Sequence, residues 1–529
     1  MGTLDYIWLG ILAVFQGPEL FTLFGLPVPV TLVMILGGFL TGIAVGATPG
    51  LAGPIAMAIA LPILISVFGY TPDALLPVMG FLIGIMKGAT IGGAVPAILF
   101  NTPGTPDAFM TTLDGHPMAR RGQAGKALRV AHFSSAAGDT FSDIVLILCA
   151  PFLAILVERY LDLPEKTALL ILSLSFIAAV IGASPGKGLI SMGLGLLAVY
   201  VGSGEDFYPR LSLGTSTLSQ GFPIATSVLG VLIIGAVFHE LAGLWPVAPH
   251  RSGAETGRDS GDQRLHAADI RRLLPYISRS AVIGTVVGAL PGVGSTLAAT
   301  LGYTVGKARH ARRGSSDGLK FGEGVPEGVA ATEAANSSVS GANLIPVLSL
   351  GIPGNAAAVF LILAADSIGG FNPGPSVFRF TADVVNPELV VAFGLFTAMM
   401  IANALNWTIG GLFMRAMGIM TRIPKHMLLP IVLLLTLTAI YVQEADMAMI
   451  WFALGFGMLG FGMRLVGMSP LPFVIAFILG DKLENSARQA FAATGGDPWF
   501  LFTHPVAALF MAGAAGILIF TAVRRKPAA

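Results

Sequence analysis

The chain has 529 residues, of which 54% are hydrophobic and 11% charged, with a mean hydropathy of +0.80 and a formal net charge of +1. That balance excludes a soluble domain and leaves no basic footprint for nucleic acid. Cys149 is the only cysteine, which excludes an internal disulfide and any cysteine-based metal site; within "VLILCAPFLAIL" it reads as lipid-facing or core filler.

The first residues, "MGTLDYIWLGILAVFQGPEL", carry Asp5 and no Lys or Arg. They lack the positive n-region of a cleaved signal peptide and are expected to stay attached. From there, apolar runs near the length of a membrane span recur to the end, for example "VLIIGAVFHELAGLW" with its upstream residues and "PVAALFMAGAAGILIFTAV". They predict an all-α polytopic membrane protein with room for roughly a dozen spans.

Glycine and proline interrupt these runs in a repeating order. "GATPGLAG" from Gly46 matches "GALPGVGS" from Gly288, and "PAILFNTPG" from Pro96 matches "PVLSLGIPG" from Pro346; Pro164 then aligns with Pro424. The offset grows slowly, from 242 through 250 to 260, as one duplicated unit with loop insertions predicts. The boundary is the polar stretch 250–272, giving a first membrane repeat over 1–249, a linker, and a second repeat over 273–529. Basic residues assign opposite orientations to the two copies. The loop after "GATPG" has none, whereas the one after "GALPG" holds Lys307, Arg309, Arg312, Arg313 and Lys320. After "NTPG" come Arg120, Arg121, Lys126 and Arg129, but after "GIPG" only Arg379. The repeats are therefore expected to be inverted, with broken helical hairpins meeting near the bilayer midplane. The linker and the C-terminus are then expected to be cytoplasmic.

Backbone freed by a Gly-Pro break cannot face lipid. Matched breaks in inverted halves imply a shared cavity, and helix ends aimed at it favour an anion by about 0.3 to 1 kcal/mol each. Thr48, Asn101, Thr102, Ser295 and Asn355 stand beside the breaks and can donate to such a ligand. The plainer reading is kinks that allow close packing. The run "EGVAATEAANSSVSGANLIPVLSL" places Glu333, Asn336, Ser340 and Asn343 on one helical face, either a polar path or a hydrogen-bonded seam between helices. Lys87 aligns with Ser337 of that run. Three readings of Lys87 stand side by side: counter-charge for an anionic substrate, partner for Asp139 or Asp143, or a side chain snorkelling to an interface.

Together, "EGVAATEAAN…LIPVLSLGIPGNAAA", "GALPGVGSTLAATLGY", "LFNTPGTPDA" and the closing "PLPFVIAFILGDKLENSARQA" resemble the large membrane subunit of tripartite tricarboxylate transporters along nearly the whole chain. The resemblance implies a multi-pass protein of the bacterial inner membrane, working with a small membrane subunit and a periplasmic solute-binding protein. It would import organic carboxylates on a cation gradient by alternating access, without ATP or a cofactor. It puts the substrate site at Thr48, Pro49 and Gly50, at Asn101, Thr102, Pro103 and Gly104, at Pro291, Gly292, Gly294 and Ser295, and at Gly351, Pro353, Gly354 and Asn355, with Lys87 nearby. Unwound carbonyls would hold Na⁺, or Glu333 or Glu327 a proton, with Asn336, Ser337, Ser340 and Asn343 as further ion-coupling candidates. Thr48, Lys87, Asp139 and Asp143 depart from the family pattern, which leaves substrate and ion open.

No catalytic residue is expected. "GASPG" around Ser184 has the spacing of a nucleophile elbow but lies between membrane helices rather than after a strand. "HELAG" at 239–243 lacks the second histidine of a zinc protease. A passive anion channel or a substrate-sensing receptor is the alternative to a transporter.

Overall fold

In the computed structural model the described residues are 2–23, 25–48, 51–181, 184–202, 204–205, 208–211, 218, 221–243, 263–313, 318–380, 384–416 and 425–524. The chain opens with α1 (Thr3–Phe15), a short ladder of β1 (Glu19–Leu23) and β2 (Leu26–Pro29), then α2 (Val30–Gly46) and α3 (Gly53–Phe68). Next come α4 (Pro72–Gly92), α5 (Ala94–Phe100), α6 (Phe109–Arg120), α7 (Ala124–Tyr160), α8 (Leu163–Val180) and α9 (Pro185–Val199). The two-residue strands β3 (Gly204–Glu205) and β4 (Tyr208–Pro209) precede α10 (Ile224–Leu229) and α11 (Gly235–Gly243), which a π-helical turn joins.

α12 (Ala267–Gly288) begins within the last residues of the stretch 250–272, and α13 (Gly294–Arg313), α14 (Pro326–Ala342), α15 (Leu344–Leu350) and α16 (Ala356–Ile368) follow. A second π turn joins α17 (Pro387–Leu405) to α18 (Gly411–Ala416). The chain closes with α19 (Lys425–Glu444), α20 (Met447–Leu465), α21 (Leu471–Ala493), α22 (Phe500–Thr503) and α23 (Pro505–Arg524). Among the described residues seven helices are long and apolar enough to cross a membrane, and six shorter apolar ones accompany them. The chain is an all-α, multi-pass membrane protein, its two β ladders being minor.

Two compact units divide the chain, and both sequence halves contribute to each. The first comprises Met1–Ala154, Ala248–Leu290 and Gly294–Leu428, the second Ile155–Val247, Pro291–Val293 and Leu429–Ala529. In the first unit α2 lies along α4 through facing glycines. A Cβ on Gly42 would stand 2.4 Å from the carbonyl oxygen of Ile85, and one on Gly88 2.1 Å from that of Phe39. With no hydrophobic drive between helices in lipid, backbones held this close are what van der Waals packing requires. α12 and α13 meet α14 in the same way, at Gly284 against Ala335 and Gly302 against Ala331. α14 is buried on every side from Glu327 to Ala342, which its small residues permit.

The second unit packs α8 and α9 against α21, and α8 against α23. Ser191 of α9 donates to the Ser469 carbonyl (2.7 Å) and accepts from the amide of Phe473 (3.1 Å). At the π turn Gly230–Ile234, Arg464 donates to the carbonyls of Val231 and Leu232, both at 2.9 Å, covering oxygens that the wider turn leaves exposed.

Candidate functional site

The second break has the same local geometry in both halves, 250 residues apart. α4 passes through Gly93 into the seven-residue α5 and stops at Asn101, which is left-handed at φ 55° and ψ 25°. α14 passes through Asn343 into α15 and stops at Gly351, left-handed at φ 71° and ψ 22°. Asn and Gly are the residues that take this conformation at least cost. Thr102 N–H then donates to the Pro96 carbonyl and Ile352 N–H to that of Pro346, each at 3.2 Å.

Past the tips the chain turns back on its own hairpin. Gly104 N–H donates to Gly93 O at 3.3 Å, and a Cβ on Gly104 would lie 2.2 Å from the carbonyl oxygen of Gly46, so the two breaks of the first half touch. Gly354 likewise rests on Asn343, at 3.3 Å from its Cβ. The helices that follow then cross over: α6 packs on α13 and α14 of the second half, and α16 on α3 and α4 of the first. Thr296 donates to Asp107 at 2.8 Å along the same seam.

Several expected ligand groups turn out to be engaged by backbone. Thr48 Oγ1 donates to Ala44 O at 2.9 Å, and Thr102 Oγ1 to Phe100 O at 3.0 Å. Asn355 caps α16, its Oδ1 accepting from Ala358 N–H at 2.9 Å. Asn101 and Thr102 are exposed and Pro103 half-buried, whereas Gly351, Pro353 and Gly354 are buried. Pro49 and Gly50 lie outside the described residues. Gly294 (φ +76°) and half-buried Ser295 open α13 in the first unit. Pro291 and Gly292 belong to the second unit, where left-handed Gly292 lies against Ile177 and Ile181.

Lys87 does not present a free cation to an anionic ligand. Its Nζ lies 2.6 Å from Asp139 Oδ1 and 2.7 Å from each oxygen of Asp143, with all three side chains buried. Ser340 of α14 donates to Asp139 Oδ1, and Asn403 of α17 donates to Asp143 Oδ2 at 2.7 Å. Four helices are thus tied at one point. One helical turn along α7, Ser135 donates to Glu333 Oε2 at 3.0 Å, while Thr111 donates to its other oxygen. Glu327 pairs with Arg272.

The rest of the α14 stripe is different in kind. Both amide atoms of Asn336, both of Asn343 and the Ser337 hydroxyl are buried without a hydrogen-bond partner among the described residues. Asn336 and Asn343 are seven residues apart, which sets them on one face about 10 Å apart along the axis. Single buried polar atoms lack a partner elsewhere too, for example at Ser134, Thr226 and Asn406, but among the described residues only Asn336 and Asn343 leave both amide atoms open. Folded proteins satisfy the large majority of such groups, so this row of open amides beside a broken helix is where a polar ligand, ion or water fits.

Around the start of α14 the basic loops converge. Arg121 donates to Gly324 O, and Lys126 pairs with Asp269 at 3.1 Å, around a polar cavity of about 220 Å³. Asp114 Oδ1 accepts three backbone N–H bonds there, from Gly322 and Gly324 at 2.9 Å and Val325 at 2.8 Å. Sequence reasoning missed Asp114, Thr111, Ser135, Arg272 and Asn403. An Asn within the apolar run of α17 was the one available signal; the others take meaning only from partners far away in the chain.

Broken helical hairpins, polar residues buried inside an apolar bundle and membrane-length helices define a polytopic membrane protein built around an interior polar site. The family model described as "Tripartite tricarboxylate transporter TctA family" matches residues 32–475, and the chain belongs to that family. It is a transporter family, not an enzyme family, and points to the large membrane subunit of a tripartite system. An "Uncharacterized 52.8 kDa protein in TAR-I ttuC' 3'region" of Agrobacterium vitis is 31% identical over 497 residues, 92% of this chain and 91% of that protein. An "Uncharacterized protein in TAR-II ttuC' 3'region" of the same organism is 32% identical over 193 residues, 36% of this chain and 75% of the relative. A mutant manganese transporter from Eremococcus coleocola aligns with 93% of this chain and 94% of its own at 13% identity, with a TM-score of 0.14.

Proposed function

We propose that the chain is the large membrane subunit of a binding-protein-dependent secondary importer of organic carboxylates, di- or tricarboxylates, in the bacterial inner membrane. It works with a small membrane subunit and a periplasmic solute-binding protein. A Na⁺ or proton gradient drives it by alternating access between inverted repeats. The observation that carries the reading is the open amides of Asn336 and Asn343 beside the second break, within a helix buried on all sides. Carboxamide N–H groups and the backbone of the hairpin tips supply donors for a carboxylate, and the amide oxygens are able to face a cation. The basic residues Arg121, Lys126 and Arg272 gather around one polar cavity, and their positive charge supports a cytoplasmic assignment for that side.

The test is uptake of labelled di- and tricarboxylates by cells carrying this subunit and its small partner, with and without the binding protein. Uptake is expected to need the binding protein and to fall at least tenfold in Asn336→Leu and Asn343→Leu at equal membrane abundance. Flux indifferent to the binding protein and to both substitutions would instead mean a passive channel with its path elsewhere.

A further inference from the structure

The buried Lys87 cluster holds one carboxylate more than its cation needs. A tie that served only to hold helices together would be complete with one ammonium and one carboxylate; here two aspartates share one lysine, and with both ionised the site carries a net negative charge away from water. Uncompensated charge of that kind is strongly disfavoured in a membrane interior. The hydrogen bonds are lopsided as well. Both oxygens of Asp143 are engaged, by Lys87 and Asn403, whereas Lys87 and Ser340 both meet Oδ1 of Asp139. Among the described residues the hydrogen bonds to Asp139 all meet its Oδ1, and the Oδ1 of buried Asn403 has no partner. The cluster therefore has open acceptors and lacks a donor.

We infer that Asp139 is a proton-binding site, and, resting on the transport reading above, that the proton it takes up is the coupling ion. The proton adds to Oδ2, which lets that oxygen donate and leaves Lys87 paired with Asp143 alone as a neutral ion pair. A metal cation is the poorer fit, because it would have to share the same oxygens with the ammonium already 2.6 to 2.7 Å from them. Ser340 lies on α14, so taking up the proton weakens the bond between α7 and the helix that carries the open amides and the second hairpin.

The surroundings contain few competing groups. α2 and α3 have no titratable residue, α16 only the exposed Asp366 and α17 only Glu388 in its first turn. On α7, His132 meets the Asn406 carbonyl at 2.8 Å. Two other buried acids stand on the helices that form the cluster, both on α14: Glu333, held by Thr111 and Ser135, and Glu327, paired with Arg272.

The experiment is infrared difference spectroscopy between alkaline and acidic pH on the full chain with its small subunit in lipid. A second arm measures carboxylate uptake by the same vesicles, supplied with the binding protein, under a pH gradient or a Na⁺ gradient. Asp139→Asn reproduces the neutral side chain and keeps the Lys87–Asp143 pair, so it is expected to fold. We expect acidification to produce a protonated-carboxyl band in the unmodified protein and in Glu333→Gln, and the band to be lost in Asp139→Asn. We also expect accumulation driven by the pH gradient to fall at least tenfold in Asp139→Asn while substrate exchange between equal pools continues. A band that survives in Asp139→Asn, or disappears only in Glu333→Gln, overturns the assignment. Accumulation driven by Na⁺ alone overturns the coupling role and leaves the importer standing. A band with no carboxylate flux under any gradient leaves the proton site standing and removes the importer.

Discussion

Asp114 shows how much one side chain can decide. It is 1% exposed, and three backbone N–H groups of the loop before α14 depend on its Oδ1. A carboxylate accepts such bonds with about twice the strength of a neutral oxygen. Asp114→Asn would retain the shape and lose the charge, so a destabilisation of about 1.5 to 3 kcal/mol is expected, read as a lower midpoint in thermal unfolding of the detergent-purified protein. An unchanged midpoint would show that water replaces the carboxylate at this loop. Asp114 has neither spacing nor neighbours that mark it in the sequence, because its partners lie more than two hundred residues away. Lys87 is the opposite case. The sequence offered three roles, with Asp139 and Asp143 among the named partners because they stand one turn apart; only the fold brings α4 and α7 together and pairs Lys87 with both.

Among the elements, the packing of α2 against α4 makes the sharpest demand. At Gly88 a side chain would meet the Phe39 carbonyl at 2.1 Å, and that carbonyl is backbone and cannot swing away. Gly88→Val is therefore expected to cost at least about 1 to 3 kcal/mol and to lower the yield of folded protein in the membrane. Gly462→Ala on α20 has nothing within 4 Å and is expected to be neutral in the same assay. Equal behaviour of the two would mean that the contact between α2 and α4 is looser than the structure has it. The breaks themselves were legible as sequence, because Gly and Pro act locally: the left-handed stops at Asn101 and Gly351 fall where the matched motifs put them. Less legible was the use of the neighbouring polar groups. Thr48, Thr102 and Asn355 all sit beside a helix end, and backbone within a few residues competes for them before any ligand does.

For the whole molecule the surface states the solvent. α7 exposes Leu148 at 68% and Phe152 at 66%, side chains that water would not tolerate in such number. With Cys149→Ser as background, a nitroxide at Leu148→Cys is expected to collide with dissolved oxygen far more often than with a water-soluble nickel chelate. The reverse ratio would place that face of α7 in water and against the membrane reading.

Composition and periodicity determined the class of this protein, its helices and the positions of its breaks. Each follows from properties carried by a few neighbouring residues: hydropathy summed over a span, the φ that glycine permits and the hydrogen bond that proline removes. The tertiary structure alone decided which buried polar groups are satisfied and which are left open. Glu333, Lys87 and Ser340 find partners across helices, while Asn336 and Asn343 on the same helix find none. A hydrogen bond requires two atoms within about 3 Å, and for residues two hundred positions apart that distance is set by how the helices pack and by nothing in either residue's own neighbourhood.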